Sequence, residues 1–389
     1  MDASFFIASR IRFRRKIVMI SIAVSFFVMI IAVAVSSGFR REIRNGLSEV
    51  AGDVQLTLPD LNYLEESSPV DTDPAFLPYV LEMDEVESVD PVIYRAGIVK
   101  SDEDIYGILV KGIEGGVSDS LGLAVAIPSS FAEMSGLKAG DRLLTYFIGE
   151  KIKVRQFNIA EIYDDLLSAD GRFLVYADIA DMRRLNEWDA GQASLMEVRL
   201  KSDLTDEQAI NAAASEIGYR MNAYASEEDD TLVATSSVSR YPQLFDWLGL
   251  IDFNVFFILM LMTVVAGFNM ISGLLKMLFE NISTIGLLKS LGMTDRAIAK
   301  VFLSSSAVLV LKGMAIGNAI AFLICIIQDT THLLRLDPEN YFVSSVPVNL
   351  DFSAILIADA AAFIVIMLLL LIPSLFISRV DPAETVRIR

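Results

Sequence analysis

Apolar residues fall in two regimes along this chain: four long unbroken runs and, between the first two, a stretch where apolar and polar positions alternate at short period. The runs extend from Ile17 to Ser37, Leu250 to Leu275, Val301 to Ile327 and Ala354 to Ile377. Each reaches the roughly 20 helical residues that cross a hydrocarbon core, and so predicts a transmembrane helix. Directly after the first run, Phe39, Ile43, Leu47 and Val50 recur at helical spacing among Arg40, Arg41, Glu42, Arg44 and Glu49. This predicts that the first helix continues outward as a stalk. Val54 to Leu58 then alternates as a strand, and Ile98 to Val110 holds two strand-like runs around a turn at Ser101 to Asp104. From Lys151 to Ile162 the alternation changes parity between Val154 and Phe157, which predicts a bulge or a break between strands. Asp178 to Trp188 predicts a helix, and Thr205 with Gln208 forms a capping box for another that ends near Gly218. The fold class is therefore a membrane protein with four transmembrane α-helices and a large extracytoplasmic α+β domain between helices 1 and 2.

Charge separates the same two regimes. Residues 38–248 hold 18 Lys or Arg against 39 Asp or Glu, more than the whole net charge of -18, so the remainder is slightly basic. Arg10, Arg12, Arg14, Arg15 and Lys16 precede the first span, Lys276, Lys289, Arg296 and Lys300 lie between the second and third, and Arg379, Arg387 and Arg389 follow the fourth. Basic flanks mark the cytoplasmic side. Arg40, Arg41 and Arg44, on the outer flank of the first span, oppose that bias. The layout is a cytoplasmic segment (1–16), a span (17–37), an outer domain with its stalk (38–248), a span (250–275), a cytoplasmic helix-bearing segment (276–300), a span (301–327), an outer loop (328–353), a span (354–377) and a cytoplasmic tail (378–389). Ala34, Val35 and Ser36 would suit signal cleavage, but the apolar run is longer than a signal core and favours an anchor.

Composition excludes several chemistries. The acidic body argues against nucleic-acid binding, which a basic patch would drive. Cys325 has no partner for a disulfide, His332 is the single histidine, and no Gly is followed by Lys, which removes CxxC pairs, HExxH sites and a Walker A loop. Ser135 and Lys138 spell SxxK without its companion motifs, and Glu227 to Asp230 lacks the spacing of a calcium loop. No catalytic, cofactor or metal site is expected, so the chain reads as non-enzymatic.

Within the spans, Gly313, Gly317 and Ala321 form a small-residue ridge suited to close helix packing. Lys312 lies inside the third span, where an ionisable group is costly; Asp359 on the fourth span is its candidate counter-ion, and snorkelling without a partner is the other reading. Between spans two and three, Glu280 to Lys300 carries an amphipathic helix stopped at Gly292, with Thr294 capping the next.

Val33 to Asp53 (VAVSSGFRREIRNGLSEVAGD), Ile285 to Gly317, Leu336 to Pro347 (LDPENYFVSSVP) and the closing DPAETVRIR resemble permeases of the lipoprotein-releasing (Lol) ABC transporters, within the group that includes the MacB and FtsX permeases. Phe157 to Tyr176 is similar to that family's outer domain. The resemblance implies a bacterial inner-membrane protein with its large domain in the periplasm. Ile282, Thr284, Ile285, Gly286, Leu287, Lys289, Leu291, Gly292 and Met293 would form the coupling helix that docks into a separate ABC ATPase subunit, which would hold ATP and Mg. The further partners implied are a second copy or a related permease, a lipoprotein substrate and a periplasmic carrier. Phe39, Ile43 and Leu47 would either meet acyl chains leaving the outer leaflet or only pack the stalk. Two positions depart from the family: Thr284 stands where an acidic residue is usual, and the carrier-holding hairpin, between Leu143 and Gln156, is short and has no Pro-rich tip. A MacB- or FtsX-like mechanotransmitter, acting on an efflux duct or a cell-wall hydrolase, would share the same topology.

Overall fold

The computed structural model describes residues 16–59, 68–100, 104–117, 123–149, 152–163, 173–202, 204, 206–336, 343 and 345–374. The basic residues 10–15 and 379–389, and the capping residue Thr205, fall outside that set. The chain divides into a membrane unit, which takes in residues up to Phe39, Trp247–Arg335 and those from Ser345 onward, and an outer unit, Arg40–Asp246 with Leu336–Ser344.

In chain order, helix α1 (Lys16–Ala51) is followed by β1 (Val54–Thr57), β2 (Val70–Asp71), α2 (Leu77–Leu81), β3 (Val86–Lys100), β4 (Ile105–Ile113), β5 (Ala124–Pro128) and α3 (Ser129–Ser135). Next come β6 (Arg142–Phe147), β7 (Lys153–Tyr163), β8 (Phe173–Asp178), α4 (Ile179–Asn186), β9 (Gln192–Ala193), β10 (Leu195–Leu200), α5 (Glu207–Tyr224), β11 (Val233–Ser236) and α6 (Ser237–Arg240). The chain then runs through α7 (Pro242–Glu280), α8 (Ile282–Ser290), α9 (Asp295–Thr331), α10 (Phe352–Leu369) and α11 (Leu371–Ser374).

Among the described residues, four helices are long and apolar enough to cross a membrane. At 1.5 Å per residue, the 36 residues of α1 extend about 54 Å. That exceeds the roughly 30 Å hydrocarbon core, so α1 overruns the membrane as the stalk pattern predicts. The 39 residues of α7 and the 37 of α9 overrun it as well. The membrane core gathers Ile22, Phe26 and Met29 of α1, Ala266, Met270 and Leu274 of α7, Phe302 and Val310 of α9, and Ala362 and Ile366 of α10. The small-residue ridge is where α9 meets α1. A Cβ at Gly313 would lie 2.6 Å from Ile22 Cγ2, and one at Gly317 would lie 2.4 Å from the Ala23 carbonyl oxygen. The loop before α10 is laced to α1: Asn349 N donates to the Ala34 carbonyl at 3.0 Å and Ser37 Oγ to the Asn349 carbonyl at 2.9 Å. Buried Gln328 holds the other end, donating to the carbonyls of Leu334 and Val346 and accepting from Leu334 N.

The outer unit is built on the fifteen-residue strand β3, whose two halves serve two sheets. Its first half pairs with β10, continuing the order β11-β1-β10-β3. Its second half closes a six-stranded barrel, β3-β4-β8-β5-β7-β6, because β6 pairs back to β3 at Ile98↔Tyr146 and Val99↔Thr145. Val99, Val110, Val125, Phe147, Phe157 and Val175 fill the barrel, with Phe131 of α3 and Met182 of α4. Ile210, Ala214 and Ile217 of α5 cover the other sheet over Val54, Met196 and Val198. The α5 N-cap is Asp206, whose carboxylate accepts from Ala209 N, and the helix continues past Gly218 to Tyr224. The parity change near Val154 is neither a break nor a bulge: β6 and β7 pair without interruption from Arg142↔Asn158 to Phe147↔Lys153. Val154 is an apolar residue on the outer face, and the bulge lies further on, where Val125 and Ala126 pair with Ile159 and Glu161. Four membrane-spanning helices thus flank a large α+β domain with a barrel core, and that domain is extracytoplasmic.

Candidate coupling and stalk sites

The segment between the second and third spans is a corner closed by hydrogen bonds at each helix end. Helix α7 ends at Glu280, and Asn281, which follows it, donates from its side-chain Nδ2 to the Met277 carbonyl at 2.8 Å. Helix α8 is then closed by paired end bonds: Met293 N donates to the Leu288 carbonyl at 3.0 Å and Gly292 N to the Lys289 carbonyl at 2.9 Å. This arrangement needs a left-handed residue at Gly292, which has φ of +89°. Thr294 caps α9 through Ala297 N, and Lys289 Nζ pairs with Asp295 at 2.9 Å across the corner.

The corner has an inner and an outer face. Ile285 is fully buried and belongs to the membrane core, with Leu288 and Met293 packed against it, and Gly286 is buried beside it. Ile282, Thr284 and Gly292 are exposed, while Leu287 and Leu291, one turn apart, are 56% and 75% exposed. These two leucines, one turn apart, are displayed together on the exposed face of the corner. The nine residues expected to act together are therefore divided: Leu287, Leu291, Ile282 and Thr284 face outward, whereas Ile285, Gly286 and Met293 support them from within. Sequence reasoning missed Asp295 as the partner of Lys289, although a carboxylate in the first turn after a Thr cap is a readable signal.

Phe39, Ile43 and Leu47 are all buried within this single chain, at 8%, 1% and 2% exposure. In the membrane unit the Phe39 ring meets Trp247 edge-on, with centroids 6.0 Å apart. Lys312 and Asp359 are not brought together. Asp359 is buried and accepts from Asn318 Nδ2 at 2.5 Å, while Lys312 lies on the exposed side of α9. Ser135 Oγ donates to its own helix at the Phe131 carbonyl, as a helical serine does, and Asp229 accepts from Ser226 N and Ala75 N, which ties down the acidic loop. Those two bonds hold the Asp229 carboxyl below the usual carboxylate range. Among the described residues, no group of His, Cys, Asp and Glu is arranged to hold a metal ion.

The FtsX-like permease C-terminal family matches residues 256–382, a stretch that includes the α8 corner and both of the last two spans. Over those residues the chain is similar to the FtsX-like permeases. The permease is also similar to the lipoprotein-releasing system transmembrane protein LolC of Xylella fastidiosa (strain 9a5c), at 21% identity over 394 residues, 95% of this chain and 92% of that one. LolC of Neisseria meningitidis serogroup B is 23% identical over 404 residues, covering 94% and 92%. Among solved structures, the extracellular domain of the ABC-type transporter YknZ from Gram-positive bacteria overlaps 48% of this chain and all of its own, at 11% identity and a TM-score of 0.30. The periplasmic region of MacB from Actinobacillus actinomycetemcomitans overlaps 51% and 95%, at 10% identity and a TM-score of 0.30. These similarities support a general ABC-transporter permease function, and the basic flanks of the α8 corner predict that it is cytoplasmic. A cysteine at Ser290, in a Cys325→Ala background, should accordingly resist an impermeant thiol reagent in intact spheroplasts and react after permeabilisation. Labelling of intact spheroplasts would invert the topology.

Proposed function

We propose that this permease is the mechanotransmission subunit of an ATP-driven transporter. A partner ATPase, holding ATP and Mg, docks on Leu287 and Leu291 of α8. Closure of the ATPase moves the spans and, through the unbroken helix α1, works the outer domain; no substrate passes through a pore. The observation that carries this reading is the exposed leucine pair on a corner whose other face is locked into the membrane core. A second permease, identical or related, would complete the transporter.

A narrower reading makes the cargo a lipoprotein lifted from the membrane and passed to a periplasmic carrier. It is favoured by the printed names of the Xylella and Neisseria relatives, which align with nearly all of this chain. Each buried methylene of an acyl chain resists extraction by about 0.8 kcal/mol, so such work needs an energy source. A carrier would meet the β6–β7 hairpin, whose Ile148, Ile152 and Val154 are exposed.

Affinity purification of the full chain from detergent-solubilised membranes tests both readings. An ATPase subunit in fixed ratio is the expected result for the broader reading, and its absence would overturn it. Proteoliposomes of the purified complex should then release acylated proteins on ATP addition. If they retain lipoproteins while an efflux component or a cell-wall hydrolase co-purifies, the narrower reading fails and the broader one stands.

A further inference from the structure

The end of a helix leaves carbonyls without intrahelical partners, and inside a protein something must satisfy them. At the outer end of α1 the partners come from three different strands. Lys111 Nζ of β4 donates to the Val50 carbonyl at 2.7 Å, and Gln55 Nε2 of β1 donates to the Ala51 carbonyl at 2.8 Å. The Tyr94 hydroxyl of β3 lies 3.3 Å from the Val50 carbonyl and donates to Glu197 Oε1 at 2.7 Å. Glu197 of β10 accepts from Lys111 Nζ with its other oxygen, also at 2.7 Å. Further back along the helix, Arg44 Nη2 pairs with Asp53 Oδ2 at 3.0 Å and donates to the Leu200 carbonyl, while Ser48 Oγ and Leu200 N donate to the same carboxylate oxygen. Lys111, Glu197 and Asp53 are each 1% exposed, Gln55 2% and Arg44 3%.

The same residues hold the point where the chain leaves the outer unit. Arg240, the last residue of α6, donates to Gln55 Oε1, and Ser237 N donates to the Asp53 carbonyl at 2.8 Å. The start of β1 therefore grips both the incoming helix and the outgoing chain through two polar residues, Asp53 just before the strand and Gln55 within it.

Stability alone is a poor reason for this cluster. Buried ion pairs roughly break even against apolar packing and are often improved on by it. What the charges add is direction: an ammonium between a carboxylate and the negative end of a helix cannot slide or rotate without losing one of them. Burial pulls the Lys111 ammonium below the usual lysine range, and Glu197 acts against that pull. We propose that Lys111 and Glu197, with Tyr94 and the Arg44–Asp53 pair, are the positioning residues of a force joint that clamps the end of α1 to the sheet, so that helix motion reaches the outer domain instead of being lost in fraying. The proposal rests on the mechanotransmission reading above.

The test uses the full complex with its ATPase in lipid nanodiscs, comparing hydrogen exchange in the nucleotide-free and vanadate-trapped states. The Lys111→Met, Glu197→Met double variant removes both charges and strands neither. It is expected to keep ATP hydrolysis within twofold and strand protection intact, to speed exchange at Ser48–Ala51 at least tenfold, and to shrink the nucleotide-dependent change across β3 and β10 at least fivefold. Tyr94→Phe, which keeps the ring, should shrink that change about twofold should the double variant fail to fold. An unaltered nucleotide-dependent change in a folded variant would overturn the joint and leave the mechanotransmission reading untouched. A wild-type complex with no nucleotide-dependent change in the outer domain would instead overturn that reading, and the joint with it.

Discussion

Replacing Leu287 and Leu291 together by aspartate is expected to abolish binding of the partner ATPase while leaving the permease folded and inserted. Both side chains stand more than half exposed on α8, so their loss removes little from the permease itself. A leucine buried at an interface contributes about 1.5–3 kcal/mol. Two of them give about 3–6 kcal/mol, a loss of roughly a hundredfold to ten-thousandfold in affinity before any cost of desolvating the new carboxylates. The check is titration of the purified ATPase onto the permease in detergent, together with stimulated ATP turnover. Binding within threefold of wild type would reduce α8 to a connecting turn. Ile285→Asp makes an informative contrast, because that side chain is wholly buried in the membrane core and its replacement should unfold the corner rather than spare it. Thr284→Glu on the exposed face should be tolerated by the fold and reports whether the partner offers a cation there.

How much of this was legible in the sequence follows from the range over which each signal acts. The spans and the stalk were readable because hydropathy and the 3.6-residue period are local, and α1 carries both without interruption from Lys16 to Ala51. The stop at Gly292 was readable for the same reason. The parity of β7 was misjudged because an outward Val154 looks like an inward one until its neighbours across the strand are known. The pairing of Lys312 with Asp359 rested on depth alone; rotation about the helix axis turns Lys312 outward and gives Asp359 to Asn318. Arg44 shows the same limit most clearly. By counting charges it weakened the orientation of the first span, yet it is buried against Asp53 beyond the helix end and against the Leu200 carbonyl of a strand distant in sequence. Its charge belongs to the fold of the outer domain and says little about the membrane. Lys111 and Glu197, 86 positions apart, were invisible for that reason.

Gly317→Leu is expected to disrupt the membrane unit. A Cβ at this position would meet the Ala23 carbonyl oxygen at 2.4 Å, Phe27 N at 3.0 Å and Phe26 Cβ at 3.1 Å, all on α1. Two of the three are backbone atoms, which cannot swing aside as a flexible side chain can, so the helices must separate. Overpacking of this kind costs about 1–3 kcal/mol when the surroundings can adjust, and more when they cannot. The separation would also strip the contacts of Ile22 and Phe26 with α9 and α10, because those side chains share one core. The expected result is a fall of well over 10 °C in the midpoint of thermal unfolding in detergent, or no recoverable protein, with Gly317→Ala showing a smaller fall in the same direction. Gly249→Ala, on α7 with nothing near its Cβ, controls for the general effect of adding a methyl to a helix and should be neutral or stabilising by up to about 1 kcal/mol. If Gly317→Leu unfolds at the wild-type midpoint, α9 does not approach α1 this closely. The consequence reaches the coupling corner, because α9 begins at Asp295, the partner of Lys289. A helix free to shift along α1 would present Leu287 and Leu291 on a support that yields under load, so Gly317→Ala should lower ATPase stimulation before it lowers ATPase binding.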